Sequence, residues 1–297
     1  MISMKQRSLQ GLMVVNHFLK STKFNEIYKY CWESATQNGI ELNIATNADL
    51  IHYALDYSKL TNKYDFVLFW DKDIILANQL EMNGLRLFNS ANAIADSDDK
   101  SLTFLRLKKA GLPIPKTIIA PKTFANIGYT DSEFMQDVIA QLGLPIVMKE
   151  CFGSFGMQVY TFDNEQSLVD KVEELAGTPL LFQEMVKSSY GRDIRINVVG
   201  ESVIASMLRT NKNGDFRSNI TLGGSMEKYS PTDEEKNLAI LATKAMGLDF
   251  AGVDILFGEN EPIVCEVNSN PHFATTLACT GVNMANEMMA YIKGKCL

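Results

Sequence analysis

The chain lacks the features that would mark a nucleic-acid binder, a disulfide-stapled domain or a membrane protein. No Lys/Arg cluster stands out, and 28 basic against 35 acidic residues leave a formal charge of −7, the wrong balance for a polyanion-binding surface. Nucleic acid is therefore not an expected partner. The five cysteines (Cys31, Cys151, Cys265, Cys279 and Cys296) are scattered, with no C-x-x-C pair and no metal-ligand spacing. Such usage fits a reducing compartment, and a cytoplasmic location is expected. No apolar run approaches the length of a membrane span, so no membrane partner is expected. The run Leu12 to Val15 after Lys5 and Arg7 is too brief for a signal-peptide core, and Cys296 is placed wrongly for prenylation. Only three histidines occur, and His17, His52 and His272 are expected to be structural or surface residues. What remains is an ordinary globular composition, 46% hydrophobic and 21% charged over 297 residues. That length suffices for about two domains with real cores.

The segment Ala251 to Pro271, AGVDILFGENEPIVCEVNSNP, reads as a β-hairpin. With its Gly-Glu-Asn-Glu-Pro turn centred on Asn260, Asp254 falls opposite Glu266. A side-chain period of two puts Glu266 and Asn268 on one face, so Asp254, Glu266 and Asn268 converge. Facing carboxylates repel, and the arrangement calls for a compensating cation. An all-oxygen ligand set suits Mg²⁺ or Mn²⁺. The bland alternative is a solvated hairpin face. The flanking runs, with Val253, Ile255, Leu256, Ile263, Val264 and Val267, are very apolar for an edge hairpin in water.

A coarse pass gives alternating strands and helices up to about Asn89: a strand at Gly11 to Asn16, a helix at Lys23 to Gln37, and strands at Ile40 to Ile44 and Phe66 to Trp70. This is a small open α/β unit. Asp96 to Ala110 reads as one helix with acids at its positive end, stopped by Gly111 and Pro113. Strands and helices interleave again to Gln183. Strands are then expected at Ile194 to Val199 and Val203 to Leu208, with helices at Asp233 to Met246 and from about Val282.

Other segments have chemistry suited to a nucleotide. After the strand ending Val147-Met148-Lys149-Glu150, Gly153 and Gly156 bracket a tight turn whose backbone N–H groups can approach phosphate oxygens, and Lys149 adds a fixed charge. A plain glycine-bearing turn is the alternative. Gln183-Glu184 ends an apolar strand that can offer backbone groups to an adenine edge. Asp193 and Arg195 alternate on one face of the next strand, otherwise a solvated edge. Arg209 and Arg217, with Ser218 and Asn219, can bind phosphate or carboxylate, although an isolated loop arginine is commonly just a surface residue.

In order, these pieces resemble the ATP-grasp superfamily and, within it, the RimK-type carboxylate–amine (alpha-L-glutamate) ligases. The resemblance runs from Asp99-Lys100 through Ala110-Gly111-Leu112-Pro113-Ile114-Pro115, the Lys149 strand and glycine loop, Gln183-Glu184, Gly191-Arg192-Asp193-Ile194-Arg195, Gly214 to Asn219 and Ala251 to Leu256, to Glu266-Val267-Asn268. It implies a mixed α/β and α+β fold: a small N-terminal open α/β (pre-ATP-grasp) domain over 1–90, followed by a two-lobed ATP-grasp module over 91–297 with its lobe boundary near 180–192. By the resemblance Lys100 and Lys149 contact ATP phosphates beneath Gly153, Ser154 and Gly156. Gln183, Glu184 and Met185 line the adenine site, Asp193 lies near the ribose, and Arg195 belongs to the cofactor-binding set. Arg217, Ser218 and Asn219 reach the nucleotide or substrate, and Asp254, Glu266 and Asn268 hold two Mg²⁺ or Mn²⁺ ions.

The implied chemistry is ADP-forming ligation. A substrate carboxylate attacks the γ-phosphate of ATP to give an acylphosphate, and an amine then displaces phosphate. Positioning and charge neutralisation dominate the first step, and Arg209 or Arg217 with the two lysines supply the charge. No covalent nucleophile is needed, so Cys151 has no assigned role. The implied partners are an amino acid and a carboxylate-bearing small molecule or peptide C-terminus. Symmetric self-association is common enough to expect. One departure is Ser269-Asn270-Pro271-His272-Phe273, whose bulky His-Phe pair is expected to alter the substrate pocket. A reading of another class is a nucleotide-binding regulatory or interaction module without turnover. Loss of a metal ligand would favour it, and none is lost.

Overall fold

The computed structural model describes residues 7–219 and 223–297, so Lys5 of the N-terminal run lies outside the described residues. The first unit runs β1 (Leu9–Val15), α1 (Thr22–Gln37), β2 (Ile40–Thr46), α2 (Ser58–Thr61), β3 (Phe66–Trp70), α3 (Ile74–Met82), β4 (Leu87–Phe88), α4 (Ala91–Asp98) and α5 (Lys100–Lys109). Its parallel sheet has the order β2-β1-β3-β4. Helices cover both faces of such a sheet, which is why β3, FVLFW, is apolar and buried at every position rather than alternating.

The second unit comprises β5 (Thr117–Ile119), α6 (Phe134–Leu142), β6 (Ile146–Glu150), β7 (Val159–Phe162), α7 (Glu165–Glu174) and β8 (Leu180–Glu184), with an antiparallel sheet ordered β5-β8-β6-β7. The third comprises β9 (Arg192–Val199), β10 (Ser202–Thr210), β11 (Ser225–Lys228), α8 (Asp233–Ala245), β12 (Phe250–Phe257), β13 (Pro262–Asn268), α9 (Ala274–Thr280) and α10 (Met284–Cys296). Its sheet order is β11-β10-β9-β12-β13. The expected strands and long helices are present. α9 and β11 were not foreseen, and α10 packs between the third sheet and the first unit, burying Met284, Met288, Met289 and Ile292 in one core with residues of α1 and β1 and with Val199 and Phe250.

The single helix expected over Asp96 to Ala110 is two helices. Asp99 is extended (φ −93°, ψ 110°), and its carboxylate accepts from the N–H groups of Ser101 and Leu102, capping α5. The cap replaces the backbone bonds that continuing α4 would have made, and it sets Lys100 at the head of a new helix.

Asn89 joins the first unit to the third. Its amide donates to the carbonyls of Phe250 and Ser269 at 3.0 and 2.9 Å, and its oxygen accepts from the N–H of Asp249 at 2.7 Å. Fully buried and fully bonded, it fixes the start of β12 and the segment after β13 against β4. Among the described residues no helix is long and apolar enough to cross a membrane.

Candidate active site

Four strands of the third sheet carry a row of facing charges. The register sets Arg209 of β10 opposite Asp193 of β9, Arg195 of β9 opposite Asp254 of β12, and Asp254 opposite Glu266 of β13. Opposite charges placed directly across a ladder attract, as the two Arg–Asp pairs do, whereas Asp254 and Glu266 are like charges. Arg209 donates through Nε and Nη2 to the two oxygens of Asp193, each at 2.6 Å, and reaches Asp254 Oδ1 at 3.0 Å. Arg195 holds Asp254 through both Nε and Nη2, the latter at 2.8 Å.

Burial alone would raise the Asp254 carboxyl, but the two guanidinium groups outweigh it and hold Asp254 below the usual carboxylate range. Burial likewise works against the Arg209 charge, and Asp193 and Asp254 more than restore it. Facing carboxylates were expected to need a cation, and Arg195 and Arg209 already provide one at Asp254. These arginines, with Asp193, were read from the sequence as ligand-contacting groups; the fold pairs them with one another first.

The hairpin register agrees with the expectation at Asp254–Glu266 and Gly252–Asn268, then slips so that Ile255 faces Val264. Cys265 is the extra residue of this bulge. A bulge lets neighbours share a face, and Cys265 and Glu266 both line the same cleft. Burial pushes the Cys265 thiol up, opposed by nearby Lys149, whose Nζ lies 3.8 Å from its sulfur. Lys149 thus spans from the second sheet to the third.

The glycine loop follows β6. Gly153 (φ +142°) and Gly156 (φ +73°) hold conformations that side chains disfavour, and a Cβ on Gly156 would lie 2.6 Å from Asn219 Oδ1. Lys100 Nζ donates to the Gly153 carbonyl at 3.0 Å, and Arg217 Nη1 to the Gly156 carbonyl at 2.7 Å. Asp215 steers Arg217 through bonds of 3.0 and 2.7 Å. Beside the loop, burial pushes the Cys151 thiol up to about 11, which leaves it protonated and poorly nucleophilic near neutrality.

The cleft between the second and third sheets gathers Lys100, Lys149, Gly153, Ser154, Gly156, Gln183, Glu184, Met185, Asp193, Arg209, Arg217, Ser218, Asn219, Asp254 and Glu266. Arg195 and Asn268 face an adjoining cavity instead. Gln183 donates to Thr117 Oγ1 at 2.9 Å, and Glu184 accepts from the Lys116 N–H at 2.9 Å, tying β8 to β5. Sequence reasoning missed Val147 and Leu256, although the period of two from Lys149 and Asp254 points to both. Phe155 and Tyr190 carried no sequence signal. Of the His-Phe pair, only His272 reaches the adjoining cavity; Phe273 is wholly buried against Trp70 and Tyr30.

The oxygen donors fit a hard divalent ion in kind. Among the described residues no group of three His, Cys, Asp or Glu is assembled for a metal. Glu266, however, enters no ion pair there, and Asn268 spends its amide N–H on the Gly252 carbonyl at 3.2 Å, leaving its oxygen as a donor. Asp254 accepts three arginine bonds, so a carboxylate's fourth lone pair remains.

A family model for the RimK-like ATP-grasp domain matches residues 97–292. A protein of Mycoplasma pneumoniae named "Uncharacterized protein MG012 homolog" is 33% identical over 265 residues, covering 88% of this chain and 91% of that one. The probable alpha-L-glutamate ligase of Histophilus somni is 31% identical over 285 residues, covering 88% and 92%. Among solved structures, the RimK domain ATP-grasp protein of Sphaerobacter thermophilus superposes with a TM-score of 0.71 over 95% of this chain and 98% of that one, at 18% identity, a likeness of fold. With the domain matched over two-thirds of its length and relatives above 30% identity along most of the rest, the chain belongs to the RimK-like ATP-grasp family.

Proposed function

We propose that this protein is an ATP-dependent carboxylate–amine ligase that forms an amide through an acylphosphate and releases ADP. The observation that carries the reading is the meeting of Lys100, Lys149, Arg209 and Glu266 in one cleft beneath a glycine loop. On this reading residues 1–90 form a pre-ATP-grasp domain, and the nucleotide lies between the lobes of a module over 91–297. Glu184 and Met185 face the adenine and Asp193 the ribose. Lys100, Lys149 and the N–H groups of the glycine loop meet the phosphates.

Glu266, Asn268 and the remaining lone pair of Asp254 would hold Mg²⁺ or Mn²⁺. When bound, such ions would neutralise phosphate charge. Arg209 stabilises negative charge as the γ-phosphoryl passes to the substrate carboxylate, already fixed by Asp193 and therefore with little reorganisation. Arg217 keeps the glycine loop down, which excludes water from an acylphosphate. The relatives named probable alpha-L-glutamate ligases support glutamate as one substrate.

The test is ADP and phosphate release with Mg²⁺, ATP, pooled amino acids and a panel of carboxylate acceptors, followed by mass analysis. A mass gain of one amino-acid residue with ADP formed is expected. Nucleotide binding without turnover on any pool, or turnover unchanged in Glu266→Gln, would defeat the ligase reading.

A further inference from the structure

A second cavity, of about 360 Å³, adjoins the nucleotide cleft and shares Ser154, Phe155, Arg209 and Glu266 with it. Its size is within the range of small-molecule sites. One wall comes from the first unit, through Lys23 and Phe24 of α1, Trp70 of β3, and Lys72; the facing wall comes from Asn268 to His272. The matched family domain begins at residue 97, so nothing in that match assigns Lys23 or Lys72.

The cations here are not equivalent. Arg195 and Arg209 are already ion-paired with Asp254 and Asp193, and Lys72 with Asp98. Lys23 enters no ion pair among the described residues. Its ammonium sits 3.8 Å from the centre of the Phe155 ring, half-buried, and burial pulls its pKa down. The ring face repays part of the cost of desolvating an ammonium, whereas a carboxylate or phosphate would repay more.

Lys23 is also held in place. His272 Nε2 lies 3.1 Å from the Lys23 carbonyl, and a carbonyl only accepts, so Nε2 carries the proton. That bond fixes the first turn of α1 against the segment following the metal-type ligands of β13. A positioned cation without a counter-ion, in a cavity open to the reacting cleft, has the properties of a ligand anchor.

We propose that Lys23 is the specificity-determining cation of this cavity and holds an anionic group, carboxylate or phosphate, on the non-nucleotide substrate. The word substrate rests on the ligase reading; the anionic site itself does not. The N-terminal unit then selects the molecule that the ATP-grasp cleft activates. The same lysine, through Phe155, touches the loop that covers the phosphates.

The test is calorimetric titration of the full chain, loaded with ADP and Mg²⁺, with two matched pairs: L-glutamate against L-glutamine, and O-phospho-L-serine against L-serine. One charged probe is expected to bind at least about tenfold tighter than its neutral partner. The favoured pair identifies the anion as carboxylate or phosphate. Lys23→Met should erase the preference while leaving ADP affinity and the melting temperature in place, and Lys23→Arg should retain it. Phe155→Leu removes the ring but keeps the charge, and should also keep the preference.

The proposal is overturned if neither charged probe is favoured, if Lys23→Met preserves the preference, or if it weakens ADP as much as the probe. The last result would make Lys23 a staple for the glycine loop. ADP release from ATP, measured separately, keeps the two readings distinct. Charge preference without turnover defeats the ligase reading alone, and turnover without charge preference defeats the Lys23 assignment alone.

Discussion

Arg209 grips Asp193 from the neighbouring strand with two 2.6 Å hydrogen bonds, and its Nη2 also touches Asp254 at 3.0 Å. The guanidinium is buried, so removing it strands the Asp193 carboxylate away from water and leaves Asp254 to Arg195 alone. Arg209→Met is expected to cost roughly 3–5 kcal/mol of stability, as for other broken buried pairs. Arg209→Met with Asp193→Asn should cost less than the sum of the single changes, by about 1–3 kcal/mol. Urea midpoints for the four proteins close the cycle, and simple additivity would show that the pair is not coupled.

Asp254 makes stability depend on acid. Burial acts to raise its pKa, but Arg195 and Arg209 bring it below the ordinary value of 3.8. A folded-state pKa below the unfolded one gives stability that is full above the unfolded value and lost as pH falls through the folded one. Thermal melts from about pH 5 down to about pH 2 should show that loss. Asp254→Asn should flatten this limb while lowering stability near neutrality, because Arg195 loses its carboxylate partner and Arg209 is left with Asp193 alone.

Glu266 faces the cleft without a cation, so Glu266→Gln should leave the fold intact and act on chemistry. ADP release is expected to fall by about 10²- to 10³-fold. Binding of ADP in EDTA should be unchanged. A variant weakened equally with and without divalent ion would point to a structural role.

Gly156 has both a left-handed backbone and Asn219 Oδ1 at 2.6 Å from where a Cβ would sit. Gly156→Ala should disturb the loop by about 1–3 kcal/mol and raise the KM for ATP with little change in melting temperature. Pairing it with Asn219→Gly removes the contact but not the dihedral cost, so partial rescue is expected. Full rescue would assign the effect to the contact alone.

Cys151 lies beside the loop and is not expected to act in catalysis. With its thiol pushed up to about 11 by burial, it should resist iodoacetamide near neutral pH. Cys151→Ala should keep ADP release within about twofold of the parent. A larger loss would give the thiol a part that its burial argues against.

The sequence by itself determined the hairpin, its Asp254–Glu266 pairing and the glycine loop, because those are local. A period of two, a turn between apolar runs and two glycines around a sharp bend depend on residues only a few positions apart. It also indicated most of the cleft, since alternation tells which strand residues share a face.

Tertiary structure decided what neighbours each charge. Asp193 and Arg209 stand sixteen positions apart on strands whose register slips between Val203 and Ala205, and Asp254 meets Arg195 from 59 positions away. Pairing across such distances follows from sheet order, which no local pattern encodes. The break at Asp99 stayed hidden because helical periodicity continues through it, while its carboxylate caps the next helix. For the same reason Lys23 gave no sign: α1 reads as an ordinary amphipathic helix, and only packing against His272 and Phe155 brings its first turn to the substrate cavity.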